Sequence, residues 1–185
     1  MIAMATEKDS IPFSSFFHPA EVICQIEETD RDKALLQVLR RIAQQRDIGN
    51  VEEAHAAVLA RENDLPTIVA PGLAMPHARL ETIDEIVVGV ATSRKGIVYD
   101  AKRSDNRVKL IVLTLAPKDE PGAYLQALGC LAKICQDPAT AEVVAGLPTP
   151  QRVWDFFDQG GMAHSDRPRA RGVIDPAQVK KLLQQ

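Results

Sequence analysis

Arg107-Val108-Lys109-Leu110-Ile111-Val112-Leu113-Thr114-Leu115-Ala116 is the stretch on which the fold turns. A strand with one wet face alternates apolar and polar residues. This run is almost continuously apolar, so it reads as a strand covered on both faces. Asp84 to Thr92 carries Ile86, Val87, Val88 and Val90 and reads the same way. Covered strands need helices on either side of the sheet, and the flanking sequence supplies them.

Asp30 can cap a helix over residues 30–46, in which Ala34, Leu35, Val38, Leu39, Ile42 and Ala43 recur at helical spacing. Gly49-Asn50 reads as its stop. A second helix follows with Val51, Ala54, Val58 and Leu59 on one face, ending near Arg61-Glu62-Asn63, before Pro66. Helical spacing returns at 121–136 with Tyr124, Leu125, Leu128, Leu131, Ala132 and Cys135, and Pro138 closes it. Short helices are expected at 139–146 and 150–158. Thr67 to His77 begins β-branched and is then broken by Pro71 and Pro76, which suits an edge or irregular strand with a turn at Pro71-Gly72. Ile11 to Phe17 reads as a first strand or a docking segment. Ser93 to Asn106 is charged and turn-rich, with room for a short strand at 96–99. The fold class is α/β: a mixed central β-sheet flanked by helices.

The chain has 185 residues, 45% hydrophobic and 25% charged. That suits one domain and excludes collagen, a disordered chain and a disulfide scaffold. Residues 1–10 read as a disordered start, 11–158 as the domain, and 159–185 as a linker with a short terminal helix from Asp175-Pro176 to Leu183. Lys and Arg number 22 against 25 Asp and Glu, a formal charge of −3, so the basic footprint of a nucleic-acid binder is missing. No apolar run is long enough to insert in a membrane, and the first residues turn acidic too soon for a secretory signal. The expected location is the cytoplasm. Cys24, Cys130 and Cys135 are odd in number and widely spaced, which points to buried thiols rather than a disulfide framework.

Pro71-Gly72-Leu73-Ala74-Met75-Pro76-His77-Ala78-Arg79 is the candidate site. Pro76 stiffens the backbone that presents His77 at a strand end, and Gly72 allows the chain or a ligand to approach closely. An imidazole near its ordinary pKa of ~6.5 is largely neutral at pH 7 and keeps one free lone pair. It is then a competent nucleophile toward phosphorus. Arg61, ending the preceding helix, and Arg79, just past the histidine, are the candidate phosphate-holding guanidiniums. The site is expected as an open, cation-lined hollow. Of the other histidines, His18 and His164 read as peripheral, and His55 as half-buried and structural. The four carry no zinc-ligand spacing, so no metal site is expected.

The run from Thr67 through Gly72-Leu73-Ala74-Met75-Pro76-His77 resembles the phosphorylation motif of the fructose/mannitol-type IIA domains (EIIA type 2) of the bacterial sugar phosphotransferase system, a family that includes nitrogen-regulatory IIA proteins. Leu59-Ala60-Arg61-Glu62 is similar to that family's helix ending. Val108 to Pro117 is similar to its central strand, and Leu125…Leu128…Leu131-Ala132-Lys133 to the helix after it. The resemblance implies the family's IIA sandwich fold and a phosphohistidine carrier, with His77 accepting a phosphoryl group from HPr and Arg61 stabilising it. Glu62, Thr67, Gly72, Arg79 and Tyr124 would support the site. The group would pass to a IIB domain or report to a regulatory target such as a transporter or kinase. No metal or organic cofactor is implied. Many family members also carry a second active-site histidine at the start of the helix after the central strand. Here that region is Pro121-Gly122-Ala123-Tyr124-Leu125-Gln126. Its hydroxyl-bearing Tyr124 is the nearest match, and Ala70 and Pro71 replace the usual glycine and small polar residue. Two other readings therefore stand beside the carrier: an interaction module with weak or absent phosphotransfer, and an anion sensor using the same pocket.

Overall fold

In the computed structural model, which describes residues 12–160, the decisive apolar run becomes β6 (Val108–Pro117), the middle of the sheet. On one side lies antiparallel β5 (Val87–Ile97), with Val90 opposite Val112. Outside β5, the short β1 (Val22–Ile23) pairs in parallel. On the other side of β6, β3 (Leu73–Ala74) and β4 (His77–Leu80) both run parallel to it, and β2 (Ile68–Ala70) folds back antiparallel on β3 to form the edge. The sheet is mixed, as the sequence predicts.

β3 and β4 share one register: Leu73 faces Leu110, Ala74 faces Ile111 and His77 faces Thr114. They are one strand interrupted at Met75-Pro76. Pro76 has no N–H for the ladder, and the Met75 N–H turns away to the Thr67 carbonyl at 2.9 Å.

Both faces are covered, which explains the unbroken apolar runs. α1 (Arg31–Gln45) and α2 (Val51–Asp64) bury Leu35, Val38, Leu39, Ile42 and Val58 against Val87, Ala91, Ile111, Leu113 and Leu115. On the opposite face, α3 (Pro121–Ile134), α4 (Thr140–Ala145) and α5 (Pro150–Asp158) bury Leu128, Leu131, Val144, Val153 and Phe157 against Val88, Val90, Leu110 and Val112. Gly89 lets α1 come close, because a Cβ there would stand 2.7 Å from Ile42 Cδ1.

Several local expectations change. The segment around Phe13 docks rather than forming a strand. It is a 3-10 turn (Phe13–Phe16) whose Phe13 ring packs 5.6 Å from Phe157, and Ile11 lies outside the described residues. α1 ends before Arg46, and Asn50 starts α2 instead of stopping α1: its side chain accepts the Glu53 N–H at 3.0 Å. β5 begins later and runs on past Thr92 to Ile97, through an irregularity that the exposed Arg94 and Lys95 disguise in the sequence. Of the cysteines only Cys135 is buried, while Cys24 and Cys130 are half-buried. The expected disordered start, the 160–172 linker beyond Gly160, the 175–183 helix and His164 lie outside the described residues.

Candidate functional site

Ala78 packs under α1 and α2, so strand alternation turns the neighbouring His77 to the opposite face of the sheet, the face of α3. Arg61, in the last turn of α2, reaches it there. Its Nε–H donates to His77 Nε2 at 3.1 Å. Nε2 must therefore hold the lone pair, which leaves the ring hydrogen on Nδ1. Nδ1 faces the Met75 carbonyl oxygen at 3.4 Å, a long and weak hydrogen bond. The Arg61 N–H thus sets the tautomer, and the carbonyl of Met75, the residue that Pro76 biases toward extended backbone, faces the other ring nitrogen.

The ring is not in an open hollow. His77 is 6% exposed, covered by Arg61 and by the Tyr124 ring, whose centroid lies 5.3 Å from its own. Burial, then the Arg61 charge, and lastly the Arg79 charge push its pKa down from 6.5 to about 4, with the Met75 carbonyl opposing. The imidazole is neutral throughout the physiological range, with a lone pair on the nitrogen nearest the guanidinium.

Arg79 is exposed, and its guanidinium sits 5.7 Å from the Tyr124 ring centroid rather than on His77. Tyr124 is buried, and its hydroxyl has no hydrogen-bond partner. Glu62 points inward: its carboxylate accepts the Thr67 N–H at 3.1 Å, the Thr67 hydroxyl at 2.7 Å and the Tyr99 hydroxyl at 2.8 Å. Burial pushes the Glu62 pKa up and these bonds oppose it. Glu62 and Thr67 therefore tie the end of α2 to the start of β2, which positions Arg61. Tyr99 completes that tie and was not foreseen. Its only sequence signal is its place at the end of the short apolar run Gly96-Ile97-Val98-Tyr99 within a charged stretch.

Gly72 packs closely against the chain itself. Its φ is +71, its carbonyl accepts from Lys109 and Leu110, and a Cβ there would meet Ala141 at 3.3 Å. His55 is half-buried, as expected, with Nε2 bonded to the Asp32 carbonyl at 2.7 Å. His18 is exposed and is itself the N-cap residue of a 3-10 turn (Pro19–Glu21). Among the described residues no cluster of three or more His, Cys, Asp or Glu is placed to hold a metal ion.

Chemically, the centre offers a neutral imidazole whose Nε2 lone pair accepts from one guanidinium, with a second guanidinium at the rim. That is a set of groups for taking up and stabilising a phosphoryl group.

The sequence model of the family described as "Phosphoenolpyruvate-dependent sugar phosphotransferase system, EIIA 2" matches residues 15–160. The chain is 27% identical over 134 residues to the PTS system 2-O-alpha-mannosyl-D-glycerate-specific EIIABC component of Escherichia coli K12, covering 72% of this chain and 20% of that protein. It is 29% identical over 142 residues to the PTS system fructose-specific EIIA component of Haloferax volcanii, covering 75% of this chain and 90% of that one. In three dimensions it matches the crystal structure of the nitrogen regulatory protein IIA-Ntr from Neisseria meningitidis with a TM-score of 0.70 at 17% identity, over 78% of this chain and 97% of that one. It also matches the Escherichia coli complex of enzyme IIA-Mtl with phosphorylated enzyme IIB-Mtl, with a TM-score of 0.65 at 15% identity, over 76% and 96% of the two chains. The two structural matches are likenesses of fold.

Proposed function

This chain belongs to the EIIA 2 family of the phosphoenolpyruvate-dependent sugar phosphotransferase system, and from that premise we propose that it is a histidine phosphocarrier with His77 as the residue that carries the group. A phosphoryl donor of the phosphohistidine class, an HPr-type protein, brings its phosphorus in line with His77 Nε2. The Nε2 lone pair forms the new N–P bond as the donor's N–P bond breaks, and the donor imidazole leaves with that electron pair. The hydrogen stays on Nδ1, where the Met75 carbonyl meets the positive charge that the ring acquires. Arg61 leaves Nε2 as phosphorus arrives and takes the phosphoryl oxygens instead. The same steps in reverse deliver the group to a IIB domain or a regulatory target. Positioning and charge carry the chemistry, and no cofactor takes part.

The observation that carries this reading is the Arg61–His77 contact, which supports a neutral nucleophile with its stabilising cation already in place. The complex of a IIA with a phosphorylated IIB among the structural relatives is consistent with a IIB partner here. We place the protein in the cytoplasm on the strength of its family. Among the described residues no helix is long and apolar enough to cross a membrane. Residues 11–158 are the proposed carrier unit.

A second reading, an interaction module with slow or absent transfer, draws on the burial of His77 at 6% exposure. One assay separates the two. With phosphoenolpyruvate, Enzyme I and HPr, the carrier gains one acid-labile phosphoryl group by intact mass. The adduct is lost in His77→Ala and kept in His18→Ala and His55→Ala. A chain that takes up no phosphoryl group from a cognate HPr is the module.

A further inference from the structure

Tyr124 lies in the first turns of α3 and is 3% exposed. Its hydroxyl is the one buried side-chain polar atom without a hydrogen-bond partner among the described residues. A buried phenol normally finds a partner, because leaving the O–H unpaired after taking it out of water is unfavourable. Here the unpaired group belongs to the ring packed against the nucleophile, 5.3 Å between centroids and tilted by 38°.

The charged groups that act on this hydroxyl come from two elements. Arg61 and Glu62 belong to α2, and Arg79 to β4. Arg79 also stands against the ring. Every one of these groups except Glu62 belongs to the cation set of the site, and Glu62 is fully engaged by Thr67 and Tyr99. Among the described residues the Tyr124 O–H has no acceptor.

A phosphoryl group has three acceptor oxygens: a bidentate fork from Arg61 meets two of them, and Arg79 is exposed and stands against the Tyr124 ring, which leaves an oxygen for a donor inside the site. Resting on the reading of His77 as the carrier, we propose that the Tyr124 hydroxyl is a further catalytic residue, donating a hydrogen bond to an oxygen of the phosphoryl group on His77. The bond forms only when the group is present, which is why the hydroxyl is unpaired without it. No proton is transferred: the phenol stays protonated, and burial pushes its pKa further above the working range. A neutral donor of this kind works independently of pH near neutrality, unlike an imidazolium.

The test loads the full-length chain with phosphoramidate, which transfers its phosphoryl group to imidazole nitrogen as ammonia leaves. Intact mass follows the loading rate and the lifetime of the adduct. The wild type should gain one phosphoryl group, with a rate flat from about pH 6 to 8, and His77→Ala should gain none. Tyr124→Phe keeps the ring and should load, or hold the group, roughly tenfold to a hundredfold less well. Its melting temperature should be unchanged or higher, since it removes an unpaired polar atom. Tyr124→His should recover loading only where its imidazole is protonated, so that its rate falls as pH rises.

Equal rates and lifetimes in Tyr124→Phe and a loaded wild type overturn the assignment and leave the carrier reading intact. A slow Tyr124→Phe that also melts lower, with no pH-dependent recovery in Tyr124→His, makes Tyr124 a packing residue and overturns it too. A wild type that never loads at His77, from phosphoramidate or from HPr, sinks the carrier reading and this assignment together.

Discussion

Arg61 and His77 meet at the reactive atom: Arg61 Nε–H donates at 3.1 Å to the Nε2 lone pair that would attack phosphorus. On the proposed reading the guanidinium both covers the nucleophile and stands beside the position of the incoming charge. Arg61→Ala should therefore have two opposite effects. Without the neighbouring cation the His77 pKa rises, readable by NMR titration of the imidazole. Without the phosphoryl-binding group, loading slows by about tenfold or more. Arg61→Lys keeps the charge and loses the planar fork, so its rate should fall between the two. An unchanged rate in Arg61→Ala would remove Arg61 from the site.

The buried imidazole makes stability depend on pH. The folded pKa of His77 is about 4 and the unfolded value is 6.5. Above pH 6.5 both states are neutral and this contribution is fully present. As pH falls toward 4 the unfolded chain binds a proton that the folded one refuses, so stability falls with pH. The full loss is on the order of 3 kcal/mol. Urea midpoints measured between pH 7 and 4 should drop more steeply for the wild type than for His77→Gln. Parallel curves would show that the ring is not held neutral by the fold.

Glu62 supports the site from behind. Its three hydrogen bonds link α2, Thr67 just before β2, and Tyr99. Glu62→Ala leaves a buried N–H and two buried hydroxyls without their acceptor. It should cost about 2–4 kcal/mol in denaturant unfolding and slow loading by displacing Arg61. Glu62→Gln keeps an acceptor oxygen and should cost less. Wild-type stability in Glu62→Ala would mean that the tie does not hold the helix end.

Gly89 tests the packing of α1 on the sheet. An alanine methyl there would lie 2.7 Å from Ile42 Cδ1 and 2.8 Å from Val38 Cγ1, both buried side chains. Gly89→Ala should destabilise by about 1–3 kcal/mol through overpacking, measured as a lower urea midpoint with an unchanged slope.

Much of this was legible in the residues. Asp30 and the apolar spacing after it fixed α1 because capping and periodicity are local. β6 was legible because a strand covered on both faces loses its alternation. The short β1 was not, since two residues carry no period. The extension of β5 was hidden because Arg94 and Lys95 are exposed where its register shifts, while Gly96, at φ +80, admits the Arg107 side chain. At the site, Pro76 announced a stiff presentation of His77. Its burial, the partner of each ring nitrogen and the inward turn of Glu62 were not readable. They depend on α2, β4 and α3 converging from distant parts of the chain.

The most direct measurement of the central claim is the identity of the phosphorylated atom. After loading from phosphoenolpyruvate through Enzyme I and HPr, nitrogen-15 NMR of the histidine-labelled chain should place a single phosphoryl group on Nε2 of His77, with Nδ1 still protonated. A group on Nδ1, on His18 or His55, or on no histidine at all would contradict the account.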